Sequence, residues 1–263
     1  MNHLPHVLAF RLALLFTCSS IGTASASEQW WKPYDPDAPH TLLHASWNNG
    51  TDYAASPAKK SAGPGVASLV VGPHMDYSQE SVNPSFGRCV RIGQLTGASL
   101  GDPSCLKYST TGIISAQQGT IEFWFRPSII LADNRNRITF FKCGNFSLEG
   151  DPHSDVPGSP YIRINVGGHM YHMNQTFPQE CYTTNWGWHH LALTYDFSDP
   201  KNGMVQLFID GISVDRTHQL DVSNLQLGDT FTLGGNGKEN YLTNGFYDEL
   251  RISDVVREYN AQR

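Results

Sequence analysis

Enzymatic chemistry needs ionisable groups brought together in pairs, and the chain offers few places where spacing alone does that. Glu149-Gly150-Asp151 sets two carboxylates two residues apart. On a strand that spacing puts both on one face, where they can divide acid and nucleophile work in glycoside hydrolysis. Gly150 and Pro152 instead predict a turn across this stretch. Tyr161/Arg163 and His169/Tyr171 are the residue types of a lyase, a proton-abstracting group beside an arginine that neutralises a carboxylate. Ordinary cross-strand pairing is the strongly favoured account of them. Adjacent His189 and His190 face opposite sides of a strand, as do His169 and His172, so neither pair makes a joint metal site. Gly97-Ala98-Ser99-Leu100-Gly101 spells a nucleophile elbow, but Asp102-Pro103 follows where that motif needs a helix. There is no phosphate loop and no zinc spacing among the histidines and cysteines.

Binding chemistry is better represented. Sugar rings present C–H faces and hydroxyl rims, so their sites combine an aromatic platform with polar side chains. Trp186-Gly187-Trp188 supplies two indoles, of which Trp186 is expected in an exposed loop. His169 and Tyr171 share one face of a hairpin strand, with Asn174 and Gln175 close by. Trp186, His169, Tyr171 and Asn174 are therefore the candidate ligand-binding residues, with packing as the competing role for each aromatic. Asn49, Asn145 and Asn174 each begin a glycosylation acceptor triplet.

The elements that must position these residues are strands. Trp188 to Gly211 reads as two of them: Leu191, Leu193 and Tyr195 alternate with small or polar residues, Asp199-Pro200-Lys201-Asn202-Gly203 turns the chain, and Val205, Leu207 and Ile209 resume the alternation. Between Gly119 and Pro127, Ile121, Phe123 and Phe125 point one way and Glu122, Trp124 and Arg126 the other. Gly167-Gly168 joins Tyr161–Val166 to His169–Asn174 as a tight hairpin. Further strands are expected near Leu42–Trp47, Ala67–Val71, Cys89–Ile92, Ile138–Lys142, Phe146–Leu148, Ile212–His218, Thr230–Leu233 and Phe246–Ile252, while Leu106-Lys107-Tyr108 leads into a loop. Ser253 is placed to cap one short helix through Tyr259. About a dozen strands with regular turn signals make an all-β sandwich or barrel.

Three segments in order carry a family resemblance: Gly119-Thr120-Ile121-Glu122-Phe123-Trp124-Phe125-Arg126-Pro127, then Trp188-His189-His190-Leu191-Ala192, then Asp248-Glu249-Leu250-Arg251-Ile252-Ser253. They resemble the LamG-like jelly roll of the concanavalin A-like lectin/glucanase superfamily, over roughly Leu42 to Tyr259. The resemblance implies a jelly-roll β-sandwich of two curved antiparallel sheets, with Trp188 in the place of the family's buried tryptophan and so in the core. Laminarinase-type members carry Glu-x-Asp-x-x-Glu, and here Ser154 stands at the third acid. Asp248 resembles the C-terminal-strand aspartate that helps hold a structural calcium in related jelly rolls. At the first-strand turn, where relatives often carry an acid, this chain has Asn48, so Asp248 and Asn48 are the implied Ca2+ ligands.

Arg11, the apolar run Leu12–Phe16 and Ala24-Ser25-Ala26 read as a cleaved leader over residues 1–26. Cys18 offers an alternative lipoprotein reading. The run is too short to span a bilayer, and no other stretch can. Residues 27–40, with three prolines, form an extended lead-in to one domain at 41–263. Arg11 is the only charged side chain lost with the leader. That leaves 17 of the 18 basic residues against 24 acidic ones, net −7, which argues against nucleic acid and anionic membranes as partners. An exported chain with Cys89, Cys105, Cys143 and Cys181 suggests two disulfides. Of three pairings, Cys89–Cys105 with Cys143–Cys181 closes the shorter loops, and buried free thiols are the alternative. The expected function is a secreted or periplasmic, non-catalytic module that binds a glycan or glycosylated surface. A polysaccharide lyase or hydrolase with an unfamiliar site, and an adhesive envelope protein, remain alternatives.

Overall fold

The computed structural model of the chain describes residues 34–35, 38–48, 56–57, 69–71, 75–79, 82, 85–93, 104–127, 138–151, 161–176, 187–236 and 245–259. The leader, most of the lead-in, Gly97–Gly101, Ser154, Cys181 and Trp186 lie outside them. Every regular element among the described residues is a strand. The first eight are β1 (Thr41–Ala45), β2 (Ser56–Pro57), β3 (Leu69–Val71), β4 (Met75–Ser78), β5 (Cys89–Ile92), β6 (Cys105–Ser109), β7 (Gln118–Pro127) and β8 (Ile138–Cys143). The rest are β9 (Phe146–Asp151), β10 (Tyr161–Val166), β11 (His169–Thr176), β12 (His189–Asp196), β13 (Gly203–Ile209), β14 (Ile212–Leu220), β15 (Thr230–Leu233) and β16 (Gly245–Ser253).

They pair antiparallel into two sheets. One has nine strands, in the order β14-β13-β12-β7-β16-β1-β2, with β5 also pairing β16 and β4 pairing β5. The other has seven, β11-β10-β9-β8-β15-β6-β3. Both hairpins read from the sequence form: β12 pairs β13 with Leu193 opposite Leu207, and β10 pairs β11 across Gly167-Gly168. Both glycines there have positive φ, 63° and 89°, as a tight hairpin turn requires.

The alternation explains the core. Ile121, Phe123, Phe125, Leu191, Leu193 and Tyr195 face the seven-stranded sheet and meet Phe140, Phe141, Phe146, Ile162, Ile164 and Phe231. Aromatic edges interlock across the gap, Phe125 with Phe140 at 5.1 Å and Phe146 with Tyr195 at 5.2 Å between ring centroids. A register shift between Thr139 and Phe141 lets the adjacent Phe140 and Phe141 both enter the core.

The opposite side of the nine-stranded sheet is buried as well. Glu122 and His190 are wholly inaccessible and Arg251 is nearly so. Arg251 Nε donates to Glu122 Oε1 at 2.7 Å, and His190 Nε2 lies 3.2 Å from Glu122 Oε2 and 2.6 Å from the Tyr34 hydroxyl. Tyr34 comes from the lead-in, and the Arg251 guanidinium stacks over its ring at 3.9 Å. From the other end of the chain, Tyr259 packs on His190 and Phe208. A register shift follows Asp248, with Glu249 at φ 49°. It turns Glu249 toward the same layer, where its carboxylate meets His44 Nε2 at 2.9 Å and the Tyr34 amide at 3.0 Å. The two chain ends thus close over a buried charge network.

Two expectations are corrected here. The short helix after Ser253 does not form. Thr120 Oγ1 donates to the Val255 carbonyl and accepts from the Arg257 amide, so the tail's backbone bonds to β7 instead of to itself. Trp188 is not in the core but half-buried on the outer side of the nine-stranded sheet, with Arg126 5.8 Å from its ring centroid.

Burial alone would raise the Glu122 pKa, but the Arg251 guanidinium and His190 hold it well below the usual carboxylate range. A depressed carboxylate stabilises the fold above its unfolded pKa, and that contribution is lost as pH falls. Stability should therefore decline as pH drops below about 4.5, the ordinary glutamate value. Glu122→Gln, which leaves Arg251 buried without its countercharge, should cost about 3–5 kcal/mol at neutral pH and flatten that acid limb, read by urea unfolding at several pH values.

Candidate functional site

On the outer side of the seven-stranded sheet Thr139, Ser147, Glu149 and Arg163 are buried, whereas Lys107, Lys142, Thr230 and Thr232 are half-buried. Cross-strand register assembles two polar rows on it. One runs Lys107 (β6), Thr232 (β15), Lys142 (β8), Ser147 (β9), Asn165 (β10) and Met170 (β11). The other runs Thr139, Glu149, Arg163 and His172 across β8 to β11. The first row begins in a cavity of about 420 Å³ lined by Cys105, Lys107, Lys142, Thr230, Thr232 and Asn236, with Gly144 and Gly228 at its rim. Gly144 has φ 57°, and a Cβ there would lie 2.0 Å from the Gln226 carbonyl, so only glycine fits that turn. The turn is tied further by Asn145, whose amide donates to the Asn224 carbonyl and accepts from the Gln226 amide, each at 2.8 Å. One of the three glycosylation acceptors is thereby engaged within the fold; Asn49 lies outside the described residues, as does the Asn174 side chain.

The second row holds a closed ion pair. Arg163 donates through Nε and Nη2 to Glu149 Oε2 at 3.0 and 2.7 Å, and Ser147 Oγ donates to Oε1 at 2.8 Å. Both charged side chains are buried. The turn expected at Gly150 is not there: β9 continues through Asp151, because Gly150 packs inward against Ile138 and Phe140 and keeps the strand's alternation. Glu149 is sequestered by two partners, and Arg163 is spent on it, so neither stands free as the sequence pattern suggested for hydrolase or lyase work.

The candidate sugar-binding residues do not gather on this side. Tyr171 is half-buried and packs against the core, and His169 on the same strand face is exposed. The backbone of Asn174 lies in β11; its side chain and Trp186 are outside the described residues. His189 and His190 do part to opposite sides: His189 Nδ1 meets Asp210 Oδ2 at 2.7 Å in the Asp210-Gly211 turn, and His190 joins the buried network.

Among the described residues neither expected disulfide is found: Cys89 and Cys143 are free thiols, and both they and Cys105 are buried. Cys89 stands in the nine-stranded sheet and Cys105 in the seven-stranded one, while Cys143 points into the core and Cys181 is outside the described residues. Burial pushes the Cys89 thiol up to about 12, helped by Asp248, and the Cys143 thiol up to about 11.

Asp248 is fully buried on β16. Its Oδ1 accepts from the Glu249 amide at 2.8 Å, and its Oδ2 has no hydrogen-bond partner. Burial and the Glu249 charge push its pKa up to about 9. Asn48, at the exposed turn after β1, accepts through Oδ1 from the Arg88 amide at 2.7 Å. No three His, Cys, Asp or Glu side chains group as a metal cluster among the described residues.

The family pattern of the concanavalin A-like lectin/glucanases superfamily matches residues 102–260. The chain belongs to that superfamily. No curated protein matches it. Among solved structures it is similar to domain 4 of AbnA, a GH43 extracellular arabinanase from Geobacillus stearothermophilus, in complex with arabinotriose. The TM-score is 0.56 at 18% identity, over 82% of this chain and 93% of that one. It is also similar to botulinum neurotoxin type C, described by its interaction with two ganglioside molecules (TM-score 0.55, 11% identity, 83% of this chain and 49% of that one). A third is the binding domain of botulinum neurotoxin DC in complex with rat synaptotagmin II (0.57, 12%, 83% and 49%). The chain spans about half the length of the toxin chains. These likenesses establish the concanavalin A-like fold.

Sequence reasoning passed over Lys107, Lys142, Thr230 and Thr232. Their only signal is that each takes the polar phase of an alternating strand, which every solvent-facing position shares.

The Glu149–Arg163 pair gives a clear stability test. Arg163→Leu strands a buried carboxylate and should cost about 3 kcal/mol in urea unfolding; Glu149→Leu added to it should recover most of that loss, because an apolar pair replaces a broken ion pair.

Proposed function

We propose that the chain is a non-catalytic carbohydrate-binding module that works outside the cytoplasm and meets its ligand on the outer side of the seven-stranded sheet. The observation that carries this reading is the open cavity floored by hydroxyl and amine side chains, Lys107, Thr230, Thr232 and Lys142. Such groups match a sugar's hydroxyl rim, and the sheet holds them on rigid strands. The arabinotriose and ganglioside of the similar structures support the same class of ligand. The leader-like residues 1–26 support export. A glycosylated surface fits as well as a free glycan, because an open sheet side accepts an internal stretch of chain.

Calcium is the proposed stabiliser. The residues fit it: Asp248 Oδ2 is a buried carboxylate oxygen without a partner, and the Asn48 amide oxygen has a second lone pair beyond its bond to Arg88. Calcium prefers oxygens of both kinds, with carbonyls completing the shell. The ion would supply charge neutralisation at Asp248, whose carboxyl the fold otherwise drives toward its protonated form.

Two measurements test these readings. On a panel of immobilised oligosaccharides, purified protein should be retained by a subset without releasing new reducing ends or unsaturated products; turnover would favour a lyase or hydrolase, and retention only by proteins would favour an adhesive role. Calcium in excess should raise the melting temperature of metal-stripped protein by several degrees, about 2.7 kcal/mol at a hundredfold excess over Kd, and should not shift Asp248→Asn.

A further inference from the structure

Lys107 and Lys142 flank Thr232 on adjacent strands, Lys107 opposite Thr232 on one side and Lys142 opposite it on the other. Strand spacing puts their backbones about 10 Å apart, with both side chains on the cavity side. Both are half-buried, so their methylene stems lie along the sheet and their ammonium groups sit at the surface. Among the described residues, the cavity lining contains no Asp or Glu. The nearest carboxylate in the neighbouring row, Glu149, is already bonded by Arg163 and Ser147. Thr232 Oγ1 donates to the Gly235 carbonyl at 2.6 Å, which leaves the hydroxyl oxygen between the lysines only as an acceptor. Two strands further along the same row, Asn165 Oδ1 is buried without a hydrogen-bond partner. Two cations with no carboxylate partner among the described residues thus lie in a cavity on a chain with more acids than bases, formal net charge −6.

Building on the carbohydrate-binding reading, we infer that the ligand is an acidic glycan, whose sugars carry carboxylate or sulfate groups, and that Lys107 and Lys142 are its specificity-determining residues. A neutral sugar would leave both ammonium groups without an anion. An anionic one accepts charge-assisted hydrogen bonds from each, and its hydroxyls meet Thr230 and the Thr232 oxygen. The lysine spacing suits successive or alternate acidic sugars along one chain. Nucleic acid also carries anions, but the overall negative charge repels a dense phosphate backbone, whereas a two-lysine pocket acts within roughly one Debye length, about 8 Å at physiological salt.

The test is isothermal titration of the full chain with a galacturonic acid tetrasaccharide, a sulfated galactan tetrasaccharide, arabinotriose and a single-stranded oligonucleotide, each at low and high salt. One or both acidic sugars should bind more tightly than arabinotriose, with affinity falling as salt rises, and the comparison between them separates carboxylate from sulfate recognition. Lys107→Gln and Lys142→Gln should each weaken that binding about tenfold without moving the melting temperature. Lys201→Gln, which removes an exposed lysine paired with Asp221, should leave it unchanged. Equal binding of arabinotriose and the acidic sugars, or acidic binding that survives both cavity substitutions, overturns the inference while the binding-module reading stands. Preference for the oligonucleotide, or equal loss in Lys201→Gln, also overturns it. Retention of no sugar at all overturns both.

Discussion

The structure depends on one buried carboxylate. Glu122 lies in the middle of β7, and its two oxygens take Arg251 from β16 on one side and His190 from β12 on the other. These are the three central strands of the nine-stranded sheet. The network then reaches beyond the sheet, since His190 meets the Tyr34 hydroxyl and the Arg251 guanidinium stacks on the Tyr34 ring. A buried charge is tolerable only when its countercharge and hydrogen bonds are fixed in place. Glu122 therefore constrains the register of β7 against both neighbours and the path of both chain ends. A hydrophobic patch in the same place would hold the ends down with less geometric demand; the ion network specifies where they go.

That constraint divides the molecule's two outer sides. The side bearing Glu122 is occupied by the lead-in, the tail and the loop carrying Phe86, whose ring packs edge-on to Trp124 at 5.6 Å. No ligand can reach the central strands there. The outer side of the seven-stranded sheet buries the ion pair of Glu149 and Arg163 on adjacent strands and leaves Lys107, Lys142, Thr230 and Thr232 partly accessible beside the cavity. The inner sides of both sheets are filled by aromatic and aliphatic packing.

Much of the fold was legible in residue order. Period-two alternation in Ile121–Phe125, Leu191–Tyr195 and Val205–Ile209 placed the core, and glycine pairs placed the hairpin turns. What alternation could not reveal was that the other phase is covered as well: Glu122 and Trp124 are buried and Arg126 half-buried, and the residues that close over Glu122, Tyr34 and Tyr259, are over 80 positions away in either direction. The helix expected after Ser253 failed for a related reason, since Thr120 offers the tail better hydrogen bonds than its own next turn would. Disulfides were inferred from an even cysteine count and export, but Cys89 and Cys105 close a short loop in sequence while standing in different sheets. Tyr171 looked like a platform because its strand neighbours are polar; its actual neighbours come from the core. The cavity lysines carried no more local signal than any polar strand position, because only the pairing of β6, β15 and β8 sets them in one row.

The distribution of cations completes the argument about function. Arginine suits buried pairing because its planar fork makes several directed bonds at once, and this fold uses Arg163, Arg251 and Arg257 in that way, each within reach of a glutamate. Lysine is a compact charge on a flexible stem, costly to fix inside a protein but well suited to a partner that arrives from solvent. Lys107 and Lys142 are the cations that the open sheet side presents beside its cavity. The arginines named here lie in contacts that hold the fold together, whereas Lys107 and Lys142 stay partly accessible beside the cavity, where a change in either leaves the Glu122 network untouched.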